Sequence, residues 1–91
     1  MRHAAHFAVV HEDSDMLVIR DVSPWDRRAT VTNDVENVVP RLRLNGRRLF
    51  YFDSENVLDE IVVKNGKFAG FAPLTGQALK DVVSRMPEDR L

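Results

Sequence analysis

Arginine is the residue type whose spacing most clearly suggests binding chemistry in this chain of 91 residues. A guanidinium group forms two parallel hydrogen bonds with a carboxylate or a phosphate, so clustered arginines favour acidic partners. Folding could bring one group of arginines together as a basic patch for a protein or a nucleic acid. Its members are Arg27, Arg28, Arg41, Arg43, Arg47 and Arg48. The alternative is that these side chains pair with nearby carboxylates or stabilise a helix end.

The one tryptophan, Trp25, lies in the rigid loop Ser23-Pro24-Trp25-Asp26. A loop tryptophan either covers the edge of the core or stands exposed as an anchor, because tryptophan is enriched among interface hot spots. The sequence therefore predicts Trp25 and the six arginines as partner-binding residues.

A third candidate for chemistry is a group of carboxylates around a predicted loop, Asp53, Glu55 and Asp59. Converging carboxylates bind Mg²⁺ or Ca²⁺, or act as general acid and base. The spacing lacks the glycine-bearing loop of a calcium site, and the alternative is a solvated loop with charges at strand ends. These three residues are the candidates for a metal site, while the sequence predicts no catalytic residue and no cofactor.

The composition limits the classes of function. With 13 basic and 14 acidic residues the net charge is −1, so no general attraction draws the chain to nucleic acid or to a membrane surface. The absence of cysteine excludes disulfides and thiolate chemistry, and it suits a reducing cytoplasm. No apolar run reaches the roughly 18 residues of a membrane-spanning helix. We expect a cytoplasmic protein with no membrane partner.

The first half of the chain predicts a hairpin followed by a helix. Two β-prone runs, Phe7–His11 and Met16–Arg20, flank a polar turn, and Ala29–Thr32 predicts a brief third strand. Asn33 is typical of a helix N-cap. The residues that follow it at intervals of three and four predict one buried helix face, namely Val35, Val38, Val39 and Leu42.

Proline and glycine mark the end of this helix. Pro40 removes a backbone hydrogen bond, so we expect a kink or an early end there. Asn45-Gly46 then predicts a helix C-cap.

The stretch Leu49–Ala72 predicts three antiparallel strands. Asn65-Gly66 between apolar runs favours a type I′ turn, because both of its central residues need positive φ. A four-residue loop between the first two strands would place Phe52 opposite Val57. Both faces of this meander are then apolar, and each needs a cover.

The helix after Asn33 can cover one face of the meander. A C-terminal helix capped by Thr75, the N-terminal hairpin or a second copy of the chain must cover the other. The buried stripe of that second helix is predicted to consist of Ala78, Leu79, Val82, Val83 and Met86. For so short a chain we also expect a homodimer.

The predicted fold is a single α+β domain over residues 1–91, with the element order ββ(β)αβββα. Its antiparallel sheet combines the N-terminal hairpin with the three-strand meander, and two helices complete it. Residues 1–6 are predicted to form a flexible tail and residues 87–91 a polar tail.

Residues 16–72 contain five short motifs: Ile19-Arg20-Asp21, Pro24-Trp25-Asp26, Thr30-Val31-Thr32-Asn33-Asp34, Gly46-Arg47-Arg48-Leu49-Phe50-Tyr51 and Asp53-Ser54-Glu55. Together they resemble small hypothetical proteins of bacteria and of their mobile genetic elements. The resemblance implies a cytoplasmic accessory gene product, and it carries over no activity and no site residue.

Three functions follow as hypotheses from the sequence. The first is a non-enzymatic protein-interaction or regulatory module that uses Trp25 and the arginines. The second is a nucleic-acid-binding protein that uses the same arginine patch, and the third is a small metal-dependent hydrolase that uses the three carboxylates.

Overall fold

Within the residues that the computed structural model describes, 7–21, 28–53 and 55–86, five strands form one sheet in chain order. The elements are β1 (Phe7–Glu12), β2 (Met16–Asp21), α1 (Arg28–Val38), a 3-10 helix (Val39–Arg41), β3 (Arg48–Phe52), β4 (Leu58–Lys64), β5 (Lys67–Pro73) and α2 (Gly76–Ser84). This arrangement is an α+β fold. The predicted tails at residues 1–6 and 87–91 lie outside the described residues.

The sheet is mixed, so the prediction of a purely antiparallel sheet is wrong. β2 and β3 are parallel neighbours, whereas the β1–β2, β3–β4 and β4–β5 pairs are antiparallel. The reason is the connection through α1. A helix that crosses one face of the sheet returns the chain to the end where the previous strand began, so the next strand must run parallel to it.

The helix α1 begins five residues earlier than predicted. The brief strand expected at Ala29–Thr32 is helical, and Asn33 lies in the middle of α1 rather than at its N-cap. The 11 residues of α1 rise about 16 Å, which approaches the roughly 20 Å length of the six-residue strand β2. A helix that started at Asn33 would be too short to return the chain along β2. The need to connect β2 to β3 therefore outweighs the preference of the β-branched residues in Ala29–Thr32 for a strand.

Pro40 ends the α-helix early, as the sequence predicted. The α-helix stops at Val38, and Pro40 sits at the start of a single 3-10 turn, where its missing N–H needs no partner. Leu42 is already extended, with φ −83° and ψ 143°.

Asn45-Gly46 therefore does not cap a helix. With φ of 54° and 83° the two residues form a tight turn that leads into β3, closed by a 2.9 Å hydrogen bond from the Arg47 N–H to the Leu44 carbonyl. The Asn65-Gly66 turn between β4 and β5 has the predicted positive φ at both residues, 54° and 75°.

The central strand β3 is apolar on both faces and each face is covered by a helix of the same chain. Phe50 and Phe52 belong to a core with Val82 of α2 and with Met86, two residues beyond the end of α2. Leu49 and Tyr51 belong to a second core, on the opposite side of the sheet, with Val35 of α1 and Val39 of the 3-10 helix. The helix α2 thus provides the second cover, and β3 needs no second copy of the chain to be buried.

The residues predicted to form the buried stripe of α2 differ in how deeply they are buried. Val82 and Met86 are buried, Leu79 and Val83 are half-buried, and Ala78 is exposed. No helix of the described residues is both long enough and apolar enough to cross a membrane.

The register of the meander differs by one residue from the prediction. Phe52 lies opposite Leu58 rather than Val57, because the loop has five residues and is closed by the Asp53 N–H and the Val57 carbonyl at 3.0 Å. A one-residue slip moves each β4 side chain to the other face. Leu58 therefore joins Phe52 beneath α2, and Ile61 faces the α1 side.

The register can be tested with one pair of neighbouring substitutions. Leu58 is 4% exposed and Val57 is 49% exposed. We expect Leu58→Ala to lower the free energy of unfolding by about 2–5 kcal/mol because it opens a core cavity. Val57→Ala should change it by less than about 0.5 kcal/mol. Urea denaturation of both variants measures these free energies. An equal loss of stability in both would contradict the register in which Phe52 lies opposite Leu58.

Candidate binding groove

A groove with a volume of about 510 Å³ lies between the segment that follows α1 and the ends of β3 and β4. Its size falls in the range of sites that bind small ligands or short segments of a partner. Six aliphatic residues contribute to its lining: Val39, Leu42, Leu44, Leu49, Ile61 and Val63. The lining also includes Pro40, Gly66 and the Asn45-Gly46 turn. The groove therefore has an aliphatic floor between two tight turns.

One wall of the groove is the segment that follows the 3-10 helix, in which leucine and arginine alternate. Leu42 and Leu44 are half-buried and line the groove, whereas Arg41, the last residue of the 3-10 helix, and Arg43 are exposed. The chain becomes extended at Leu42, and successive side chains of an extended chain point to opposite sides. The wall thus presents leucine to the groove and arginine to solvent.

Arg47 holds this wall in place. Its guanidinium donates hydrogen bonds to the Leu44 carbonyl at 2.9 Å and to the Arg43 carbonyl at 2.7 Å, and it pairs with the Glu12 carboxylate at 2.7 Å. Its side chain is only 15% exposed. Arg47 therefore fixes the segment between the 3-10 helix and β3 to the β1–β2 hairpin, and it is not available to a partner.

Arg48 is also paired, with Glu60 on the neighbouring strand β4. Two hydrogen bonds of 3.0 Å and 2.6 Å join the guanidinium to both oxygens of the carboxylate, and the group lies 5.2 Å from the centre of the Phe50 ring. The hydrogen bonds from Arg48 to Glu60 raise the pKa of the guanidinium above its ordinary value, which outweighs its partial desolvation. Because Phe50 belongs to the core beneath α2, this ion pair lies on the α2 side of the sheet.

Two arginines next to the groove have no side-chain partner among the described residues. Arg41 ends the 3-10 helix and Arg43 lies between the lining residues Leu42 and Leu44, and both are exposed. Neither forms an ion pair or a side-chain hydrogen bond in the described part of the chain. The wall of the groove therefore carries two unpaired positive charges on its solvent side.

The turn between β1 and β2 is held by the carboxylate of Asp13. The Asp13 carboxylate accepts hydrogen bonds from the Asp15 and Met16 N–H groups, at 2.8 and 3.0 Å. It also lies 2.8 Å from the His11 ring and 3.1 Å from Arg85, near the C-terminal end of α2. The hydrogen bond with His11, followed by that from the Asp15 N–H, lowers the pKa of Asp13 from 3.8 to about 2.

The predicted partner-binding residues do not form one patch within the described chain. Trp25 and Arg27 lie outside the described residues, as does the side chain of Arg28 at the start of α1. The pairs formed by Arg47 and Arg48 correspond to the alternative weighed from the sequence. Arg48 is exposed although it is paired, whereas Arg41 and Arg43 are exposed and have no side-chain partner among the described residues.

The three predicted metal candidates do not converge on one point, and Asp53 instead orders the loop between β3 and β4. The Asp53 carboxylate accepts hydrogen bonds from the Glu55 and Val57 N–H groups, at 2.8 and 2.9 Å. Glu55 is exposed, and Asp59 lies on β4 opposite Tyr51. Among the described residues no group of three or more histidine, cysteine or acidic side chains is placed to hold a metal ion.

The leucines of the groove were not predicted as site residues from the sequence. Leu42 was predicted to belong to a buried helix stripe, and Leu44 was not among the candidate residues. The alternation of arginine and leucine over residues 41–44, directly after Pro40, was the available signal, because period-two alternation is typical of an extended segment.

Comparison with family models, with curated proteins and with solved structures finds no match to this chain. The resemblance to small bacterial and mobile-element proteins therefore stays a prediction, and the argument for function depends on the groove itself.

The hydrogen bonds of Asp13 predict a loss of stability in acid. The pKa of Asp13 is about 2 in the folded chain and 3.8 ordinarily. Between pH 2 and 3.8 the unfolded chain therefore binds more protons at this residue than the folded chain does. The contribution of Asp13 is thus present above pH 3.8 and is lost as the pH falls toward 2. Thermal unfolding between pH 5 and 2 should show a shallower decline in Tm for Asp13→Asn than for the wild type. Identical declines would contradict this role.

The anchoring role of Arg47 predicts a contrast with its exposed neighbour. Lysine cannot reproduce the fork that joins two carbonyls and a carboxylate. We expect Arg47→Lys to lower the free energy of unfolding by about 1–3 kcal/mol. Arg43→Lys should change it by less than about 0.5 kcal/mol. Urea denaturation measures both, and a loss in Arg43→Lys equal to that in Arg47→Lys would refute the assignment.

Proposed function

We propose that this chain is a non-enzymatic protein-interaction module that holds a segment of its partner in the groove. One observation carries the proposal: an aliphatic groove of about 510 Å³ has a wall that Arg47 fixes within the chain, and two exposed arginines on that wall, Arg41 and Arg43, have no partner within the described chain. Apolar side chains provide the affinity of such a site, and unpaired charges select and orient the partner.

The groove favours a protein partner over the nucleic acid that the sequence analysis kept as an alternative. Binding of single strands depends on aromatic side chains on which the bases stack. The described residues that line the groove include none that is aromatic. The net charge of −1 also provides no general attraction for a phosphate backbone.

The cytoplasmic location, the homodimer and the link to mobile genetic elements stay predictions. The groove lies on the side of the sheet that α1 covers, and its lining belongs to one chain. A homodimer would therefore be compatible with this proposal but is not needed to complete the site.

Site-specific photo-crosslinking in the producing cells tests the proposal. A benzophenone amino acid replaces Leu44, which is half-buried and lines the groove, or Lys80, which is exposed on α2. We expect the probe at position 44 to form discrete protein adducts that survive nuclease treatment. The adducts should decrease severalfold when Arg41→Glu and Arg43→Glu are added, because the groove loses its attracting charges.

The probe at position 80 is the matched control and should not form these adducts. The same adducts from both positions would show that the groove is not the contact surface. Adducts that disappear on nuclease treatment would favour the nucleic-acid alternative, and no adduct at position 44 would overturn the proposal.

A further inference from the structure

We propose that Asn45, in the turn that leads from the groove wall into β3, is a site of spontaneous deamidation. Its side-chain amide reacts with the backbone nitrogen of Gly46, and the product carries a new carboxylate in the lining of the groove. This modification site goes beyond the function proposed above and does not depend on it.

The reaction needs only the two residues of the turn and water. The Gly46 nitrogen attacks the side-chain carbonyl carbon of Asn45, and the new C–N bond closes a five-membered succinimide ring. Ammonia leaves with the proton that the Gly46 N–H has lost. Water then adds to one of the two ring carbonyls and opens the ring. One opening gives aspartate, and the other gives isoaspartate, whose main chain is one carbon longer.

Both reacting groups of the turn are accessible. Asn45 and Gly46 are exposed, and among the described residues neither the Asn45 side chain nor the Gly46 N–H has a hydrogen-bond partner. Glycine has no side chain, so nothing on residue 46 shields the attacking nitrogen. The turn therefore presents a free amide next to a free, unhindered nitrogen.

The turn has to open before the ring can close. Asn45 has φ of 54°, in the left-handed region, where the side chain lies away from the nitrogen of the next residue. Rotation of the Asn45 backbone brings the two groups together, and it disrupts the 2.9 Å hydrogen bond from the Arg47 N–H to the Leu44 carbonyl. The rate of deamidation therefore depends on how readily this turn opens.

The second Asn-Gly turn of the chain provides an internal comparison. Asn65-Gly66 is also exposed and has nearly the same backbone, with φ of 54° and 75°. It is flanked on both sides by paired strands, because Lys64 of β4 lies opposite Lys67 of β5. Residues 42–44, which precede the other turn, belong to no strand. Opening at Asn45 thus disrupts fewer backbone hydrogen bonds, and Asn45 is the more reactive asparagine.

Arg47 is the side chain that restrains the reactive turn. Its guanidinium holds the Leu44 carbonyl at 2.9 Å and the Arg43 carbonyl at 2.7 Å, directly before Asn45. A lysine at this position cannot hold both carbonyls in the same fork. Loss of this contact should therefore open the turn at Asn45 and leave the Asn65-Gly66 turn unchanged.

Deamidation changes the charge of the groove lining. The charged residues of the lining, Arg47, Arg48 and Glu60, already form ion pairs within the chain. A carboxylate at position 45 adds a negative charge to this paired set, and isoaspartate also lengthens the turn that enters β3.

Peptide mapping of the aged wild-type chain tests the proposal. The chain is kept for several weeks in mildly alkaline buffer, which favours the attacking form of the glycine nitrogen. It is then cleaved at glutamate, so that the two turns fall on separate peptides, and tandem mass spectrometry measures the fraction of each asparagine converted to acid. We expect Asn45 to convert about tenfold faster than Asn65, as for a turn whose opening disrupts fewer backbone hydrogen bonds.

Two variants and a denatured sample are the controls. Arg47→Lys should speed the conversion of Asn45 severalfold and leave that of Asn65 unchanged. Asn45→Gln should remove the signal from its peptide, because the longer side chain must close a six-membered ring, which is far slower. In urea the rates at Asn45 and Asn65 should converge, since both residues precede glycine.

The proposal has clear contrary outcomes. No conversion of Asn45, or conversion of Asn65 at an equal or higher rate in the folded chain, would overturn it. A difference that persists in urea, or equal acceleration of both asparagines by Arg47→Lys, would also overturn it, because the turn at Asn45 would then not be opening locally.

Discussion

The burial of β3 on both faces is the constraint on which this fold depends. Leu49, Phe50, Tyr51 and Phe52 are consecutive, and each is at most 6% exposed. Because neighbouring side chains of a strand point to opposite faces, four consecutive buried residues require a cover on each side of the sheet. The chain meets this requirement with α1 and the 3-10 helix on one side and α2 on the other. An α-β-α layering follows from one apolar strand.

The groove is a consequence of the way the chain returns from α1 to β3. Pro40 stops the α-helix, and the extended segment after it runs over the α1-side core before the Asn45-Gly46 turn enters β3. Leu42 and Leu44 of this segment cover the buried core residues Leu49 and Ile61 but are themselves only half-buried, so apolar surface stays accessible along the groove. The groove is thus made by a helix that ends before the sheet is covered.

Adjacent arginines have different roles because of the elements that surround them. Arg47 lies in the turn region and binds backbone carbonyls, whereas Arg48 starts β3 and faces Glu60 across the strand pair. Arg41 and Arg43 are on the solvent side of an extended wall and stay exposed. Identical side chains separated by a few positions thus divide into structural anchors and available charges.

Elements with strong local signals could be predicted from the residues alone, namely the N-terminal hairpin, the Asn65-Gly66 turn, the break at Pro40 and the apolar stripe of α2. These depend on φ preferences and periodicity within a few residues. The parallel β2–β3 pair, the early start of α1 and the five-residue loop that shifts β4 became apparent only in the folded chain. The tertiary structure also decided which arginines are paired, because the partners Glu12 and Glu60 are 35 and 12 residues away along the chain. Contacts between distant residues have no local signal, and the groove consists of such contacts.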